Sequence, residues 1–373
     1  MTQGFDVIVL GTGGVGSAAL YHLASRGVRC LGIDAFPPAH DRGSSHGENR
    51  IIRQAYYEHP DYVPLALASY AHWSEVEAAA GEKLLFPSGL LQVGPREGEV
   101  LRGVLASAAA HNLQVEEVAG DEIPRRFPGF SAPDGMDGVV EAAAGYLAVE
   151  RCVYQHLQLA QQRGATYLGN CQATSWRAVG EGVVVETPLG RFSAPRLILA
   201  AGAWSSELLR GLGLQLTVLR KPQFWFPVSD TQLRPEPSPA FLFEMPDGIF
   251  YGFPPCNEQV KVAEHTGGDT VADPAQVDRS LHLNDLDRVA RFASRWLPGL
   301  EVQPARHSVC MYTMSPDAHF VVDRHPRFPQ VAFAAGLSGP GFKFTGALGQ
   351  ALADLATAGG TTLPTGFLGG ERV

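Results

Sequence analysis

A glycine-rich loop between a predicted strand and a predicted helix restricts the fold of this chain more than any other feature. Residues 5–10 form an apolar run that predicts a buried strand, and Gly11-Thr12-Gly13-Gly14-Val15-Gly16 follows it directly. The small apolar residues 17–24 predict a helix, and a second predicted strand, residues 28–33, ends next to Asp34. A G-x-G-x-x-G loop in this setting, with an acid after the second strand, predicts dinucleotide binding.

Four residues of this unit have expected physical roles. Gly11 allows the tight turn, Gly13 lets a pyrophosphate approach the backbone, and Gly16 lets the helix pack closely against the strand. The helix N-terminus then faces the phosphates, and the Asp34 carboxylate is placed to accept hydrogen bonds from a ribose.

Composition and charge limit the class of protein. The chain has 373 residues, of which 45% are hydrophobic and 18% charged, as in an ordinary globular enzyme with room for two lobes. The net charge of -9, without a basic block, argues against nucleic acid as a partner. No run of 18 uncharged apolar residues predicts a membrane span, and a strand beginning at residue 5 leaves no room for a targeting peptide.

The cysteines indicate a reducing compartment. There are five, widely spaced and without C-x-x-C spacing: Cys30, Cys152, Cys171, Cys256 and Cys310. Their odd number and their scatter argue against a disulfide framework or a structural zinc site. We therefore expect a cytoplasmic protein without a bound metal.

The order of predicted elements indicates a mixed α/β fold. Helical spacing appears in five segments: 62–80, 98–111, 149–164, 285–296 and 342–358. Strand patterns include residues 84–94, 166–168, 173–176, 182–186 and 196–204. Between residues 216 and 265, β-branched and aromatic runs predict a largely antiparallel sheet.

The first βαβ unit lacks sheet partners that strands near residues 199 and 333 would supply. We therefore expect a discontinuous Rossmann-like dinucleotide domain of residues 1–85, 145–218 and 306–373. An inserted, mainly antiparallel substrate domain would comprise residues 86–144 and 219–305. Ligand chemistry is expected where the two domains meet.

Strand spacing also suggests chemical groups, each with a simpler alternative. Alternation places Lys261 and His265 on one face of a strand, and Cys310 and Tyr312 on one face of another. Such a Lys–His pair is also typical of a solvated edge, and a lone cysteine in an apolar strand is typical of inert core. Arg53, in a glycine- and serine-rich segment, is compatible with a surface position or with holding a carboxylate through two parallel bonds.

Five segments together resemble the monomeric sarcosine oxidase and N-methyltryptophan oxidase family of D-amino-acid-oxidase-like flavoproteins. They are residues 11–16, 43–56, 248–254, 310–313 and 336–344, so the resemblance runs essentially from end to end. It implies FAD as the cofactor, held among others by Gly11, Gly13, Gly14, Gly16, Asp34, His46, Arg50, Gly339 and Lys343. It also implies that Cys310 forms a thioether to the flavin 8α carbon, with His46 and Arg50 assisting.

The resemblance further implies a substrate site. Arg53 and Lys343 match the pair that holds the substrate carboxylate, and Lys261 matches the lysine associated with oxygen activation. The remaining pocket residues around the amine are His265, Tyr251 and Tyr312. One departure is Pro340, which stands where the family usually has histidine and removes both an imidazole and a backbone donor. We therefore expect the pocket to differ in shape there.

The expected activity follows from these assignments. A flavin accepts a hydride from the C–H beside an amine nitrogen, and Arg53 and Lys343 orient that C–H through the substrate carboxylate. Two cations converging on one cavity would repel each other, so we expect an anionic ligand to bridge them. The sequence therefore predicts a monomeric FAD-dependent oxidase of a secondary amino acid such as sarcosine, with O₂ as the second substrate, an imine that hydrolyses and H₂O₂ as product.

Four alternatives remain open from the sequence. One is a flavin dehydrogenase or oxidase of a cyclic imino acid such as proline or pipecolate, and another is an oxidase of a bulkier N-methyl amino acid such as N-methyltryptophan. A third is a non-catalytic flavin-binding subunit, for which Cys310, Arg53, Lys343 and Lys261 would together have no use. A simple NAD dehydrogenase is the weakest, since Cys310 has no role in it.

Overall fold

Four β-sheets and eight α-helices make up the part of the chain that the computed structural model describes, residues 3–229 and 238–373. In chain order the helices are α1 (Gly14–Ser25), α2 (Val63–Ala80), α3 (Glu99–His111), α4 (Ile123–Arg126), α5 (Val149–Gln162), α6 (Ser205–Leu208), α7 (Leu283–Trp296) and α8 (Thr345–Thr357). None of the helices in these two ranges is long and apolar enough to cross a membrane.

The strands alternate with these helices in a mixed order. They are β1 (Gln3–Gly4), β2 (Val7–Leu10), β3 (Cys30–Ile33), β4 (Asn49–Ile52), β5 (Leu85–Phe86), β6 (Leu90–Pro95), β7 (Glu116–Val118), β8 (Met136–Glu141), β9 (Gly145–Ala148), β10 (Thr166–Leu168), β11 (Ser175–Val179), β12 (Gly182–Thr187), β13 (Gly190–Ala194), β14 (Arg196–Leu199), β15 (Thr217–Pro227), β16 (Ala240–Met245), β17 (Gly248–Gly252), β18 (Gln259–Glu264), β19 (Thr270–Val271), β20 (Arg306–Met314), β21 (Val321–His325) and β22 (Phe328–Ala335). The mixed α/β class predicted from the sequence is confirmed.

A six-stranded sheet joins the first βαβ unit to strands from distant parts of the chain. Its order is β10-β3-β2-β14-β22-β21, with all neighbours parallel except β21 and β22. Leu199 pairs with Leu10 on one side and with Phe333 on the other, so the predicted partners near residues 199 and 333 are confirmed. Strands β2 and β3 are buried on both faces, which explains their continuous apolar runs.

A nine-stranded, mainly antiparallel sheet forms the second large body. It contains β19, β15, β18, β17, β16, β6, β8 and β7 in that order, and β20 pairs with β15. Phenylalanine and valine side chains from alternate positions bury one face, among them Phe224, Phe241, Phe250 and Val262. Helix α7 packs its Val289, Phe292 and Ala293 into this cluster. The opposite face of the nine-stranded sheet is therefore available for other contacts.

Several predicted elements differ from the observed ones. The predicted strand 84–94 is two strands in different sheets, because the chain turns at residues 87–89, where Gly89 has φ +75°. The glycine- and serine-rich segment before Arg53, for which no strand was predicted, contains β4. The strand predicted at residues 173–176 is found at Ser175–Val179. Residues 230–237 of the predicted antiparallel region lie outside the described residues.

The division into two domains remains a proposal. One observation bears on its last boundary, because β20, assigned above to the dinucleotide domain, is hydrogen-bonded along its length to β15 of the nine-stranded sheet. This strand passes between the two bodies and carries Cys310 with it. The candidate flavin anchor thus belongs to the sheet that carries the proposed substrate residues.

Three histidines lie together between the helices of the dinucleotide body. His72 Nε2 and His156 Nε2 are 2.7 Å apart, His156 Nδ1 is 3.2 Å from Ser17 Oγ, and His22 Nε2 donates to Gly346 O at 3.1 Å. Burial lowers the pKa of His22 to about 4 and that of His156 to about 3, and it lowers the pKa of His72 well below its ordinary value. These rings are therefore neutral in the folded protein near neutral pH.

The histidine cluster predicts loss of stability in mild acid. The unfolded chain takes up protons on these rings below a pKa of about 6.5, while the folded chain does not until about pH 4. The free energy of unfolding should therefore fall by about 1.4 kcal/mol per pH unit for each histidine between those values. Urea titrations at pH 6.5, 5.8 and 5.0 measure how the free energy of unfolding depends on pH. His22→Gln should make this dependence less steep by the contribution of one histidine. An unchanged slope in this variant would contradict the prediction.

Candidate active site

The loop between β2 and α1 has the geometry expected of a dinucleotide cradle. Gly11 has φ +83°, and a Cβ there would lie 2.6 Å from Ala200 O. A Cβ on Gly16 would lie 1.8 Å from Gly11 O, so helix and strand pack too closely for any side chain. At Gly13 the nearest atom to such a Cβ is Ser45 Oγ at 3.8 Å, which leaves room for a ligand. Gly11 and Gly16 thus allow close packing, and Gly13 leaves space for a ligand.

A cavity of about 680 Å³ opens in front of this loop. Gly13, Gly14 and Asp34 of the nucleotide cradle line it, together with Arg50, Tyr312 and Gly339. Asp34 accepts hydrogen bonds from the Thr12 and Phe36 backbone N–H groups at 2.7 and 3.0 Å, which holds its carboxylate at the edge of the cavity. A cavity of this volume with a glycine cradle fits a dinucleotide such as FAD.

The candidate chemical residues project from one face of the nine-stranded sheet. Directly opposed residues of antiparallel strands share a face, and Lys221 pairs with Cys310 while Trp225 pairs with Lys261. By the same rule Tyr251 lies on the same face as Ala263. Lys261 shares that face, because it is two residues from Ala263 along the strand. The sheet therefore buries its phenylalanines on one side and carries the polar groups on the other.

Cys310 lies against a cation. Arg50 Nη2 is 3.2 Å from Cys310 Sγ, and Cys310 Sγ is 3.3 Å from Ser44 O. Burial alone would raise the pKa of this thiol, but the Arg50 charge and interaction with the His46 ring lower it to about 6. Cys310 is therefore largely thiolate at neutral pH, the nucleophilic form of cysteine. Cys310 and His46 line neither cavity themselves, whereas Met311 and Tyr312 line the large one.

A second cavity of about 50 Å³ adjoins Arg50 and brings together five of the predicted catalytic residues. They are Arg53, Lys343, Tyr251, His265 and Tyr312. His265 Nδ1 is 3.3 Å from the Tyr312 hydroxyl, and burial, then the charge of Lys221, lowers the pKa of His265 to about 3. The imidazole is thus neutral and offers a hydrogen bond without a charge. Burial raises the pKa of both tyrosines, which keeps them protonated.

Arg53 and Lys343 are the two cations of the small cavity. Arg53 is 2% exposed and stacks against the Tyr57 and Tyr56 rings at 4.4 and 4.8 Å. The Lys343 ammonium donates to Pro340 O at 3.0 Å, and burial followed by the Arg53 charge lowers its pKa to about 7. A bound carboxylate would restore the charged form of this lysine, because an adjacent opposite charge favours it.

The expectation that a ligand must bridge these cations needs correction. Arg53 Nη2 already donates to Glu58 Oε2 at 2.6 Å, and Gln92 Oε1 lies 3.4 Å from Arg53 Nη1. The chain itself therefore supplies an anion for one of the two cations. A substrate carboxylate would share the contact between Arg53 and Glu58 or replace it. Lys343, in contrast, forms no salt bridge with a carboxylate of the described residues, and its partner is a backbone carbonyl.

Lys261 is held behind the small cavity rather than in its wall. Its Nζ donates to Gly47 O at 2.6 Å and to Asn49 O at 2.8 Å, and it lies 4.6 Å from the centre of the Phe253 ring. Burial, then the charge of Arg50, lowers its pKa well below the ordinary value for lysine. The structure thus brings Lys261 close to the Arg50–Cys310 pair, but Lys261 lines neither cavity.

The turn before α8 shapes both cavities. Gly339 has φ +97°, and a Cβ there would lie 2.6 Å from the Tyr312 ring. Pro340 begins a short 3₁₀ turn, Pro340–Phe344, and α8 itself begins at Thr345, so the helix predicted from residue 342 starts later. Because Pro340 lines the small cavity, its ring fills space that a polar side chain at this position would otherwise occupy.

Sequence reasoning missed the acids that position this site. Glu58 pairs with Arg53, and the buried Glu141 accepts from the Gln54 and Ala55 N–H groups at 2.7 and 3.1 Å. A further acid, Glu150, accepts from two N–H groups of the loop before β4. A buried arginine needs a counter-charge, which would have directed attention to Glu58, five residues away. The other two are distant in sequence from the groups they hold.

Comparisons with known proteins agree with this geometry. A family model described as FAD dependent oxidoreductase (DAO) matches residues 6–355. The monomeric sarcosine oxidase of Streptomyces avermitilis is 39% identical over 100% of this chain and 99% of its own. The N-methyl-L-tryptophan oxidase of Yersinia pestis is 38% identical, with 94% of each chain covered. The structure of NikD, an unusual amino acid oxidase essential for nikkomycin biosynthesis, has a TM-score of 0.86 and 25% identity, with 99% of this chain and 98% of that chain covered.

Proposed function

The chain belongs to the DAO family of FAD dependent oxidoreductases, and on this premise we propose that it oxidises a small N-methyl amino acid such as sarcosine. It is an FAD-dependent amine oxidase, and its relatives act as sarcosine and N-methyl-L-tryptophan oxidases. The observation that supports an amino-acid substrate is the small cavity, where the cations Arg53 and Lys343 line the same space as the neutral imidazole of His265.

Residues of both bodies would hold the cofactor. Gly13 and the N-terminus of α1 would hold the pyrophosphate, Asp34 would accept hydrogen bonds from the adenosine ribose, and Arg50 would supply positive charge to the cofactor from the wall of the large cavity. When bound, FAD would accept a hydride from the C–H beside the amine nitrogen and pass the electrons to O₂, giving H₂O₂. The protein's part is orientation and electrostatics.

The small cavity would bind and orient the amino acid. Arg53 and Lys343 hold the carboxylate, and the neutral His265 with Tyr312 accepts or donates a hydrogen bond at the amine end. Fixing both ends holds the N-methyl C–H in one direction, an orientation effect that lowers the barrier. Lys261, with two of its three N–H groups on backbone carbonyls, supplies positive charge for the reaction with O₂.

A screen of amino acids under air tests the proposed reaction. Purified, yellow protein should release peroxide with sarcosine, and N-methyltryptophan shows whether a bulkier N-methyl amino acid is oxidised as well. Proline and pipecolate serve as the cyclic alternatives. Substrate-dependent bleaching of the flavin without peroxide would favour a dehydrogenase, and faster peroxide release with N-methyltryptophan or a cyclic imino acid than with sarcosine would contradict the proposed substrate.

Covalent attachment of the flavin to Cys310 is part of the proposal. The thiolate character of Cys310, produced by Arg50 at 3.2 Å, supports it. Acid precipitation should leave the yellow colour in the pellet of the parent protein, whereas Cys310→Ala should release it to the supernatant. The matched control is Cys256→Ala, which removes an exposed cysteine and should leave the colour in the pellet. Colour in the supernatant of the parent would refute the attachment.

The remaining parts of the proposal concern the state of the protein. We expect a monomer, as the name of the Streptomyces avermitilis relative suggests, and gel filtration tests this. A cytoplasmic location is supported by five cysteines that are all free. Cell fractionation tests the location.

A further inference from the structure

A strained turn holds the ammonium group of Lys261. Gly47 O accepts hydrogen bonds from Lys261 Nζ at 2.6 Å and from Asn49 N at 2.9 Å, and Asn49 O accepts from Lys261 Nζ at 2.8 Å. The bond from Asn49 N to Gly47 O encloses Glu48, whose φ is +71°. A γ-turn with positive φ is rare, and for a residue other than glycine it persists only where surrounding contacts impose it.

The first residues of α5 impose this conformation. Glu150 Oε1 accepts from Gly47 N at 2.6 Å and from Glu48 N at 3.2 Å, while Glu150 Oε2 accepts from Glu48 N at 3.1 Å. Val149 N donates to Glu48 O at 2.8 Å. The Glu48 side chain accepts from Trp225 Nε1 at 2.8 Å. The turn is thus held at its N–H groups mainly by a single carboxylate.

Glu150 also compensates the charges that meet at the turn. Arg50 Nη1 donates to Asn49 O at 2.9 Å, so two cations share one carbonyl oxygen. Burial and the Arg50 charge lower the pKa of Lys261, and the Glu150, Cys310 and Glu48 charges act in the opposite direction. Removing the Glu150 charge would therefore favour the neutral form of Lys261.

We infer that Glu150 is a positioning residue for Lys261, because its carboxylate keeps the Gly47–Asn49 turn in the conformation that presents two carbonyl oxygens to the ammonium. Glu150 lines neither cavity, and it acts on Lys261 through the turn and through its charge. The inference rests on the proposed role of Lys261 in the reaction with O₂. It adds a residue of α5 to a site whose other members come from the nine-stranded sheet, the segment around β4 and the turn before α8.

The test separates the two half-reactions in Glu150→Gln. Reoxidation of the substrate-reduced protein by O₂, followed by stopped flow, should slow by about 10- to 100-fold, since misplacement of a catalytic group by about 1 Å has effects of this size. Anaerobic reduction by sarcosine should change less than about twofold. The fall of the reoxidation rate with rising pH should move to lower pH. Hydrogen–deuterium exchange of peptides covering residues 46–49 should become faster.

Glu77→Gln is the matched control. Glu77 likewise accepts from two successive N–H groups, those of Leu84 and Leu85 at 2.7 and 2.8 Å, away from both cavities. It should leave both half-reactions and the exchange of residues 46–49 unchanged. If Glu150→Gln does not fold, Glu150→Asp keeps the charge but draws the carboxylate back, and it should slow reoxidation without the shift in pH dependence.

Several results would overturn the inference, and they can be distinguished from a failure of the proposed function. Equal slowing of both half-reactions by Glu150→Gln, or no slowing of either, would show that Glu150 does not act on Lys261. If Lys261→Met itself reoxidises at the parent rate, the proposed role of Lys261 is wrong and the inference falls with it. Slow reoxidation in Lys261→Met with normal reoxidation in Glu150→Gln would overturn only the inference.

Discussion

Replacing Lys261 with methionine is expected to slow reoxidation of the reduced protein by O₂ by about 10²- to 10³-fold, the size typical of losing one preorganised electrostatic contact. Electron transfer to O₂ develops negative charge, which a fixed ammonium stabilises in a site that excludes water. Methionine fills a similar volume against Phe253 but brings no charge. Anaerobic reduction by sarcosine should change far less, since Lys261 lines neither cavity.

Stopped-flow measurement of the two half-reactions checks this expectation. Lys221→Met is the matched control, because Lys221 lies on the same sheet face and its Nζ also donates to two backbone carbonyls, those of Thr266 and Gly267. This control should reoxidise at close to the parent rate. Equal slowing of both half-reactions in Lys261→Met would mean that this lysine supports the structure or contacts the substrate instead.

The same residue predicts a pH dependence. Burial and Arg50 lower the pKa of Lys261, so its charged form is lost as pH rises, and at lower pH than for an exposed lysine. Reoxidation should therefore be fastest at neutral or lower pH and fall as pH rises toward the ordinary lysine range. Lys261→Met should lack this fall, whereas a fall that persists in the variant would assign it to another group.

Replacing Arg53 with lysine is the second large expected effect. Arg53 keeps two guanidinium N–H groups on separate partners, Glu58 and Gln92, while it faces the small cavity. Lysine preserves the charge but cannot make parallel bonds to a carboxylate. Hydrogen bonds to charged groups are worth about 1.5–3 kcal/mol each, so the Kd for sarcosine should rise about 10- to 100-fold.

Substrate titration of flavin reduction under anaerobic conditions measures this loss. Arg220→Lys is the matched control, since Arg220 is a buried arginine paired with Asp285 outside both cavities. It should leave the Kd for sarcosine unchanged. N-methyl amines without a carboxylate should be poor substrates of the parent protein. Equal turnover of sarcosine and its decarboxylated amine would show that Arg53 and Lys343 do not hold a carboxylate.

Much of the fold was predictable because its signals are local. The strand–loop–helix unit around Gly11–Gly16 predicted the nucleotide cradle, and strand alternation predicted that Lys261 and His265 share a face, as do Cys310 and Tyr312. Each signal depends on backbone geometry within a few residues. The structure places them as expected, at the edge of one sheet and on one face of the other.

Helix and strand boundaries near the site were harder to predict. Residues 84–94 read as one strand, although the chain leaves one sheet and enters another at residues 87–89. An apolar run has the same sequence pattern in either sheet, so the pairing partners decide where one strand ends and the next begins. Similarly, Pro340 allows a 3₁₀ turn before α8, and the helical pattern alone did not reveal it.

By itself, the sequence determined the nucleotide cradle, the alternation that sorts polar from apolar side chains on the large sheet, and the family. Only the tertiary structure decided which acids meet these groups: Glu58 on Arg53, and Glu150 on the turn that holds Lys261. Periodicity and turn chemistry act within a few residues, and the chain encodes them locally. The contact between Glu48 and Glu150 spans 102 residues, and it forms because β9, which pairs with β4, leads directly into α5. Such a pairing of distant segments depends on burial of apolar surface across the fold.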